Sequence, residues 1–246
     1  MSNFEVELTE LRNENKLLKE LLVSHGVTLP VPTDKKIAIK SNHPLDSVQL
    51  ANGVYVKPNA VLELNGCLTF LQKRFKGFHV GGKSALEFYG FRHYLSKNPK
   101  TRLYAWDTVK LPEWFSTEFK AEIRRKRLFE ETPDAMLNVS PFNDNDDEPM
   151  VSEPERAILE MLSDIPVDQT ITEAEQLMEA AQSLRPEVMS NLLHRCKSVK
   201  TVRLFLKLAS SLSLPVYEDI KNQKFPAGSD SNWVYKTDGK IMVLKP

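Results

Sequence analysis

Gly77-Phe78-His79-Val80-Gly81-Gly82-Lys83-Ser84, running on through Ala85-Leu86-Glu87-Phe88-Tyr89-Gly90, admits two readings that lead to different proteins. Its letters satisfy G-x-x-x-x-G-K-[ST], a loop whose backbone N–H groups wrap nucleotide phosphates. Such a loop needs a buried apolar strand entering its first glycine and small residues within. Here the approach, Leu71-Gln72-Lys73-Arg74-Phe75-Lys76, is helix-like and cationic, and Phe78, His79 and Val80 crowd the interior. No βαβ alternation follows. The physical reading is therefore a hinge-like joint between a small N-terminal module and a larger mixed domain, with Lys83 an ordinary lysine.

Upstream, Phe4, Leu8, Leu11, Asn15, Leu18 and Leu22 recur at alternating spacings of four and three, the seam of a coiled coil. Asn15 shares the heptad position of Leu8 and Leu22, where a lone buried amide favours two strands. Leu8, Leu11, Asn15, Leu18 and Leu22 are thus candidate dimerisation residues, with an amphipathic helix packed on its own domain as the alternative. Gly26 stops this helix, and Pro30 and Pro32 form a linker. Lys36 to Lys40 alternates like a short strand. Val48 to Val56, turning at Asn52-Gly53, predicts a hairpin with the form of a winged-helix wing. Leu64, Leu68, Leu71 and Phe75 then mark one face of a helix ending at Gly77.

Downstream, Ala85 to Tyr89 reads as a short helix closed by Gly90. Thr101 to Trp106 and part of Ala121 to Phe129 read as strands, and Phe142 to Glu148 as a solvated acidic loop. Ser152-Glu153-Pro154-Glu155 predicts a capping box, with Ser152 as the cap and Glu155 reaching back, before a helix burying Ala157, Ile158, Met161, Leu162 and Ile165. Helices are expected over Thr172 to Leu184, Pro186 to Lys197 and Thr201 to Leu212. A terminal hairpin is expected around Asp238-Gly239.

The expected class is α+β. A heptad helix (1–26) and a degenerate winged-helix-like module (27–76) precede a mixed domain with a C-terminal helical block (77–246). At 246 residues, 41% hydrophobic and 27% charged, the chain can bury a substantial core. No apolar run has the length of a membrane span, and the charged N-terminus lacks the pattern of a signal or transit peptide. Cys67 and Cys196 suggest neither disulfide framework nor zinc site and suit a reducing cytoplasm. No metal or cofactor is expected.

Net charge is zero but segregated. Lys73 to Arg127 is basic, including the run Arg124-Arg125-Lys126-Arg127. Glu130 to Glu179 is acidic apart from Arg156, and Arg185 to Lys207 is basic again. Either the fold presents separate cationic and anionic faces, or these blocks pair with each other. A second enzymatic reading comes from Asp107 with Glu118-Phe119-Lys120, the D…E-x-K spacing of metal-dependent nucleases. Pro112 and polar Ser116-Thr117 oppose a buried strand at Glu118.

Four ordered stretches carry a resemblance. His79 to Gly90 with His93-Tyr94-Leu95 is similar to the hallmark segment of AbiEi-family antitoxins of type IV toxin–antitoxin systems. Gly53-Val54-Tyr55-Val56-Lys57-Pro58 resembles the end of that family's wing, Ser152 to Glu160 its helix-opening signature, and Ser198 to Leu206 its late helix. The resemblance implies a DNA-binding winged helix that represses its own operon. It also implies a C-terminal domain that counters a co-encoded nucleotidyltransferase-like toxin without needing to hold it in a stable complex, and without catalysis. It makes Gly81 and Gly82 conformational residues of a tight turn. Thr28 to Asp46 departs from the family pattern, holding three prolines and no helical period where a recognition helix would stand. On this reading Lys57, Lys73, Arg74 and Lys76 are candidate phosphate contacts, with solvated surface as their alternative. Arg124, Arg125, Lys126 and Arg127 are candidates for DNA or an acidic toxin surface.

Overall fold

The computed structural model describes residues 48–51, 54–57, 60–91, 100–228, 232–237 and 240–244. The chain divides into two units, Met1–Lys36 and Ile37–Pro246, and every described residue falls in the second. The heptad helix, the Lys36 to Lys40 strand and the prolines of Thr28 to Asp46 lie outside the described residues.

The expected hairpin is present: β1 (Val48–Ala51) pairs antiparallel with β2 (Val54–Val56), Val48 opposite Val56. Helix α1 (Leu64–Gln72) follows and buries Cys67, Leu68 and Leu71. These share one hydrophobic cluster with the sheet residues Val80, Leu103 and Val151. Polar ties reinforce that packing. Asn65 donates to Glu148 at 3.0 Å, Thr69 Oγ1 to the Asp147 carbonyl at 3.2 Å, and the Met150 amide to Gln72 at 2.7 Å. The acidic loop, exposed from Asn143 to Asp147, is therefore docked on α1 at its end.

The glycine stretch is not the hinge expected of it. Its His79–Val80 segment is β3, the middle strand of a five-stranded sheet ordered β5-β4-β3-β7-β6. The partners are β4 (Thr101–Ala105), β5 (Ala121–Arg125), β6 (Val139–Pro141) and β7 (Met150–Ser152). β3 runs antiparallel to β4, with His79 opposite Tyr104, and parallel to β7, with Val80 opposite Val151. β4 and β5 are parallel in register from Thr101–Ala121 to Ala105–Arg125, joined through α3 (Glu113–Glu118). A central strand meets side chains on both faces, and His79 and Val80 are both buried.

Two glycines make this strand end sharply into α2 (Gly82–Phe88). Gly82 has φ +54, left-handed backbone that costs an L-residue roughly 1–2 kcal/mol. Gly81 is extended, but a Cβ there would lie 2.2 Å from Glu160 Oε2 and 2.4 Å from the Tyr104 ring. The tight turn expected of the pair is what the backbone shows.

Helix α4 (Pro154–Ser163) is the hub, packing on α2, β7 and three further helices. These are α5 (Ile171–Glu179), α6 (Pro186–His194) and α7 (Val199–Ser211), followed by α8 (Pro215–Ile220). Every residue of α4 from Glu155 to Leu162 is buried. The predicted capping box is not formed. Glu153 is the cap residue, without a side-chain cap bond, and Pro154 opens the helix. Ser152 Oγ instead donates to Glu160 at 2.8 Å, and Glu155 accepts the Arg185 amide at 2.8 Å. Ser152 is the last residue of β7 and turns to a carboxylate in the body of α4, while Glu155 is taken by Arg185, so neither serves the helix end. Thr170 and Ser198 do cap α5 and α7, accepting from the amides of Glu173 and Thr201. The terminal hairpin, β8 (Trp233–Thr237) with β9 (Lys240–Leu244), is tied to α7 by Lys207 donating to the Val243 carbonyl at 3.0 Å.

Candidate nucleic-acid interface and the network behind it

Lys73, Arg74 and Lys76 lie at the C-terminal end of α1, where cations favour the free carbonyls of the helix. All three are exposed, as is Lys57 after β2, and none has an ion pair among the described residues. Arg74 stacks over Phe70 with its guanidinium carbon 4.4 Å from the ring centre.

The Arg124 to Arg127 run is largely committed within the fold. Arg124 pairs with Asp168, Lys126 with Asp164, and Arg127 with Asp107 at 2.9 Å. Arg125 alone of the four is exposed without a carboxylate among the described residues. Lys83 pairs with Glu173 at 3.1 Å and Arg185 with Glu155 at 2.8 Å. Arg127 apart, for these residues the segregated charge blocks pair across the fold, rather than forming opposed faces. The structure brings two candidate groups together at Trp106. Its amide donates to the Lys76 carbonyl at 3.0 Å, and the Arg127 guanidinium lies 5.0 Å from its ring centre. The seam residues Leu8, Leu11, Asn15, Leu18 and Leu22 lie outside the described residues.

Behind the glycine turn is a buried ionic network that the sequence did not reveal. Glu160 Oε2 accepts from the Gly82 amide at 3.1 Å and from Ser152 Oγ; its Oε1 accepts from Arg156 Nε at 2.7 Å and His79 Nε2 at 3.0 Å. His79 Nδ1 lies 2.8 Å from the Gly77 carbonyl. Both ring nitrogens face acceptors, so only the imidazolium makes both bonds. Arg156 also clasps Glu131 through both terminal nitrogens, at 2.6 and 2.9 Å. The Arg156 guanidinium is thus matched by the Glu131 and Glu160 carboxylates in the interior, as burial of charge requires. Burial pushes the Glu160 carboxyl upward, but the Arg156 and His79 charges and their hydrogen bonds outweigh it and hold it well below the usual carboxylate range. Burial, then Asp164 and Glu160, push the Tyr104 phenol far up, and its hydroxyl donates to Asp164. One signal was available in the sequence: Arg156 and Glu160 stand four apart within an apolar helical run.

The geometry bears directly on both enzymatic alternatives. The amide at the start of α2, where a phosphate would bind, is occupied by the Glu160 carboxylate, and Lys83 is engaged with Glu173. Asp107 is paired with Arg127, and Glu118 ends α3 in solvent. Among the described residues no three His, Cys, Asp or Glu side chains gather in a metal-binding group, and no helix is long and apolar enough to cross a membrane.

Comparison with known proteins agrees with the four-motif resemblance. Residues 98–243 match the family model described as a transcriptional regulator, the AbiEi antitoxin of a type IV toxin–antitoxin system. Residues 33–97 match the model of the AbiEi antitoxin N-terminal domain. No curated protein matches the chain. Among solved structures, the RV2827C protein from Mycobacterium tuberculosis aligns over 76% of this chain and 72% of its own, at 13% identity and a TM-score of 0.47. With family models matched from residue 33 to residue 243, the chain belongs to the AbiEi antitoxins, transcriptional regulators of type IV toxin–antitoxin systems.

Proposed function

We propose that this antitoxin counters a co-encoded nucleotidyltransferase-like toxin in the cytoplasm, without needing to hold it in a stable complex and without catalysis of its own, and represses its operon by binding promoter DNA. In this reading residues 1–26 dimerise the chain through Leu8, Leu11, Asn15, Leu18 and Leu22. Residues 27–76 contact DNA, and 77–246 carry the antitoxin activity. The observation that carries the DNA limb is the end of α1. Lys73, Arg74 and Lys76 keep their charge for an external partner, whereas Arg124, Lys126 and Arg127 spend theirs on Asp168, Asp164 and Asp107. Membership of a type IV family supports the toxin limb.

The deciding experiment places the chain beside its genomic neighbour. Co-expression is expected to rescue growth from the adjacent nucleotidyltransferase-like product, in the parent and in Lys57→Ala/Lys73→Ala/Lys76→Ala alike. Failure of the parent to rescue would remove the toxin limb. Calorimetry with ATP and GTP is expected to show no heat from the glycine loop; a signal abolished by Lys83→Ala would restore the enzymatic reading.

A further inference from the structure

Five exposed cations without a carboxylate partner among the described residues converge on one end of the five-stranded sheet. Lys73, Arg74 and Lys76 stand at the entry to β3, Lys110 beyond the exit of β4, and Arg125 at the end of β5. The ladder brings them there. β3 runs antiparallel to β4, so its entry meets the exit of β4, where the Trp106 amide donates to the Lys76 carbonyl at 3.0 Å. β5 runs parallel to β4 and ends beside it, with Arg125 in register with Ala105. Lys76 and Arg125 thus flank β4, two strand spacings or roughly 10 Å apart across the sheet. Lys110 lies on the connection from β4 into α3, whose Trp114 ring meets Phe70 at 6.3 Å, and Phe70 carries the Arg74 guanidinium. Alternation along β5 separates Arg125 from its neighbours. Arg124, in register with Tyr104, shares the face that Asp164 and Asp168 neutralise, whereas Arg125 follows Ile123 onto the opposite face. On the connection from β4 to α3, Asp107 is engaged by Arg127 at 2.9 Å, and Glu113 occupies the first turn of α3, whose N-terminal dipole favours it.

We propose that this end of the sheet is a surface for the nucleic-acid backbone, so that Lys110 and Arg125 of the larger domain contact DNA phosphates beside Lys73, Arg74 and Lys76. The inference rests on the DNA-binding reading and extends its contact surface beyond residues 27–76. Arg125 can give two parallel bonds to phosphate oxygens, and the lysines supply point charges around it. The surface suits DNA better than an acidic protein. A protein interface needs an apolar core, and no large hydrophobic side chain of 73–76, 107–113 or 121–125 is exposed. Protein surfaces that bind DNA are instead dominated by positive charge.

The test measures the affinity of the full chain for the duplex upstream of its own gene, and for a scrambled duplex of equal length, across a range of salt. The proteins are the parent, Lys110→Gln/Arg125→Gln, Lys73→Ala/Lys76→Ala, and Lys224→Gln, an exposed cation beyond α8 that serves as control. Lys110 and Arg125 are exposed and unpaired, so their double variant should melt with the parent. Its slope of log affinity against log salt is expected to fall by about 0.9 for each residue changed. The fall should be the same on both duplexes, because phosphate contacts carry no sequence, and Lys224→Gln should keep the parent slope. A slope lowered in Lys73→Ala/Lys76→Ala but unchanged in Lys110→Gln/Arg125→Gln overturns the inference and leaves the DNA-binding reading standing. Absence of duplex binding by the parent overturns that reading and the inference with it. An equal fall in Lys224→Gln would reduce the effect to net charge and overturns the inference. So does loss of growth rescue in Lys110→Gln/Arg125→Gln with duplex binding intact, which would assign the surface to an acidic protein.

Discussion

Glu160 stands where a phosphate would stand: its Oε2 accepts the Gly82 amide at 3.1 Å, at the N-terminus of α2. The electropositive end of that helix is satisfied from within the chain, by a carboxylate on α4 that also accepts from Ser152. The glycines serve this approach of α4 to the β3 turn. Gly81→Ala is therefore expected to be strongly destabilising, because its Cβ would meet Glu160 and Tyr104, both fixed by buried partners. A loss of about 3 kcal/mol is expected from such overpacking, read as a lower urea midpoint at unchanged slope. A variant as stable as the parent would mean that the turn relaxes more easily than its contacts indicate.

The same carboxylate makes stability depend on acid. The folded pKa of Glu160 lies below its unfolded value of about 4.3, so its contribution is complete above that pH. The contribution is lost as pH falls through the folded value, since the unfolded chain then binds more protons. Glu155 follows the same sign: burial opposes it, but Arg185 lowers its carboxyl. Urea midpoints measured from neutrality to about pH 3 are expected to fall steadily. Glu160→Gln should flatten part of that fall, while leaving the buried Arg156 guanidinium one carboxylate short at neutral pH, a cost of about 3–5 kcal/mol. An unchanged acid profile in Glu160→Gln would show that other carboxylates govern it.

Local signals made much of this fold legible in the sequence. The hairpin at Asn52-Gly53, the apolar face of α1 and the 3.6-residue period of α4 to α7 each follow from nearest neighbours along the chain. The strands β3, β6 and β7 do not, since two or three residues are too few to show alternation. Ser152 and Glu155 looked like a capping box because capping is local. Ser152 reaches past the helix end to Glu160, eight residues on, and Glu155 is taken by Arg185, thirty residues on, which local capping rules do not contain. The same limit applied to function. Arg124 and Lys126 looked as available as Lys73 and Lys76 until the fold brought Asp168 and Asp164 to them.

Both cysteines are expected to be inert in the folded protein. Burial, then the charges of Glu118 and Glu63, push the Cys67 thiol up to about 12, and burial raises Cys196 as well. Because the thiolate is the nucleophile, a thiol reagent near neutral pH should label neither residue in native buffer and both after denaturation. Rapid native labelling of Cys67 would mean that α1 leaves the core often enough to expose it, since Cys67 and Leu68 lie in the same buried cluster.

Changes at the two cationic segments should separate DNA contact from structure. Lys73→Ala with Lys76→Ala removes exposed charges that hold nothing in the fold, so thermal stability should stay within about 0.5 kcal/mol of the parent. If each lysine touches a phosphate of promoter DNA, the slope of log affinity against log salt should fall by about 0.9 for each one removed. Lys126→Ala should do the reverse. It strips Asp164 of its partner beneath Tyr104 and α4, so the loss should appear in the urea midpoint first. An unchanged salt slope in the double variant would move the DNA contact away from the end of α1, and an unchanged midpoint in Lys126→Ala would show that Asp164 is adequately held by Tyr104 and Arg102.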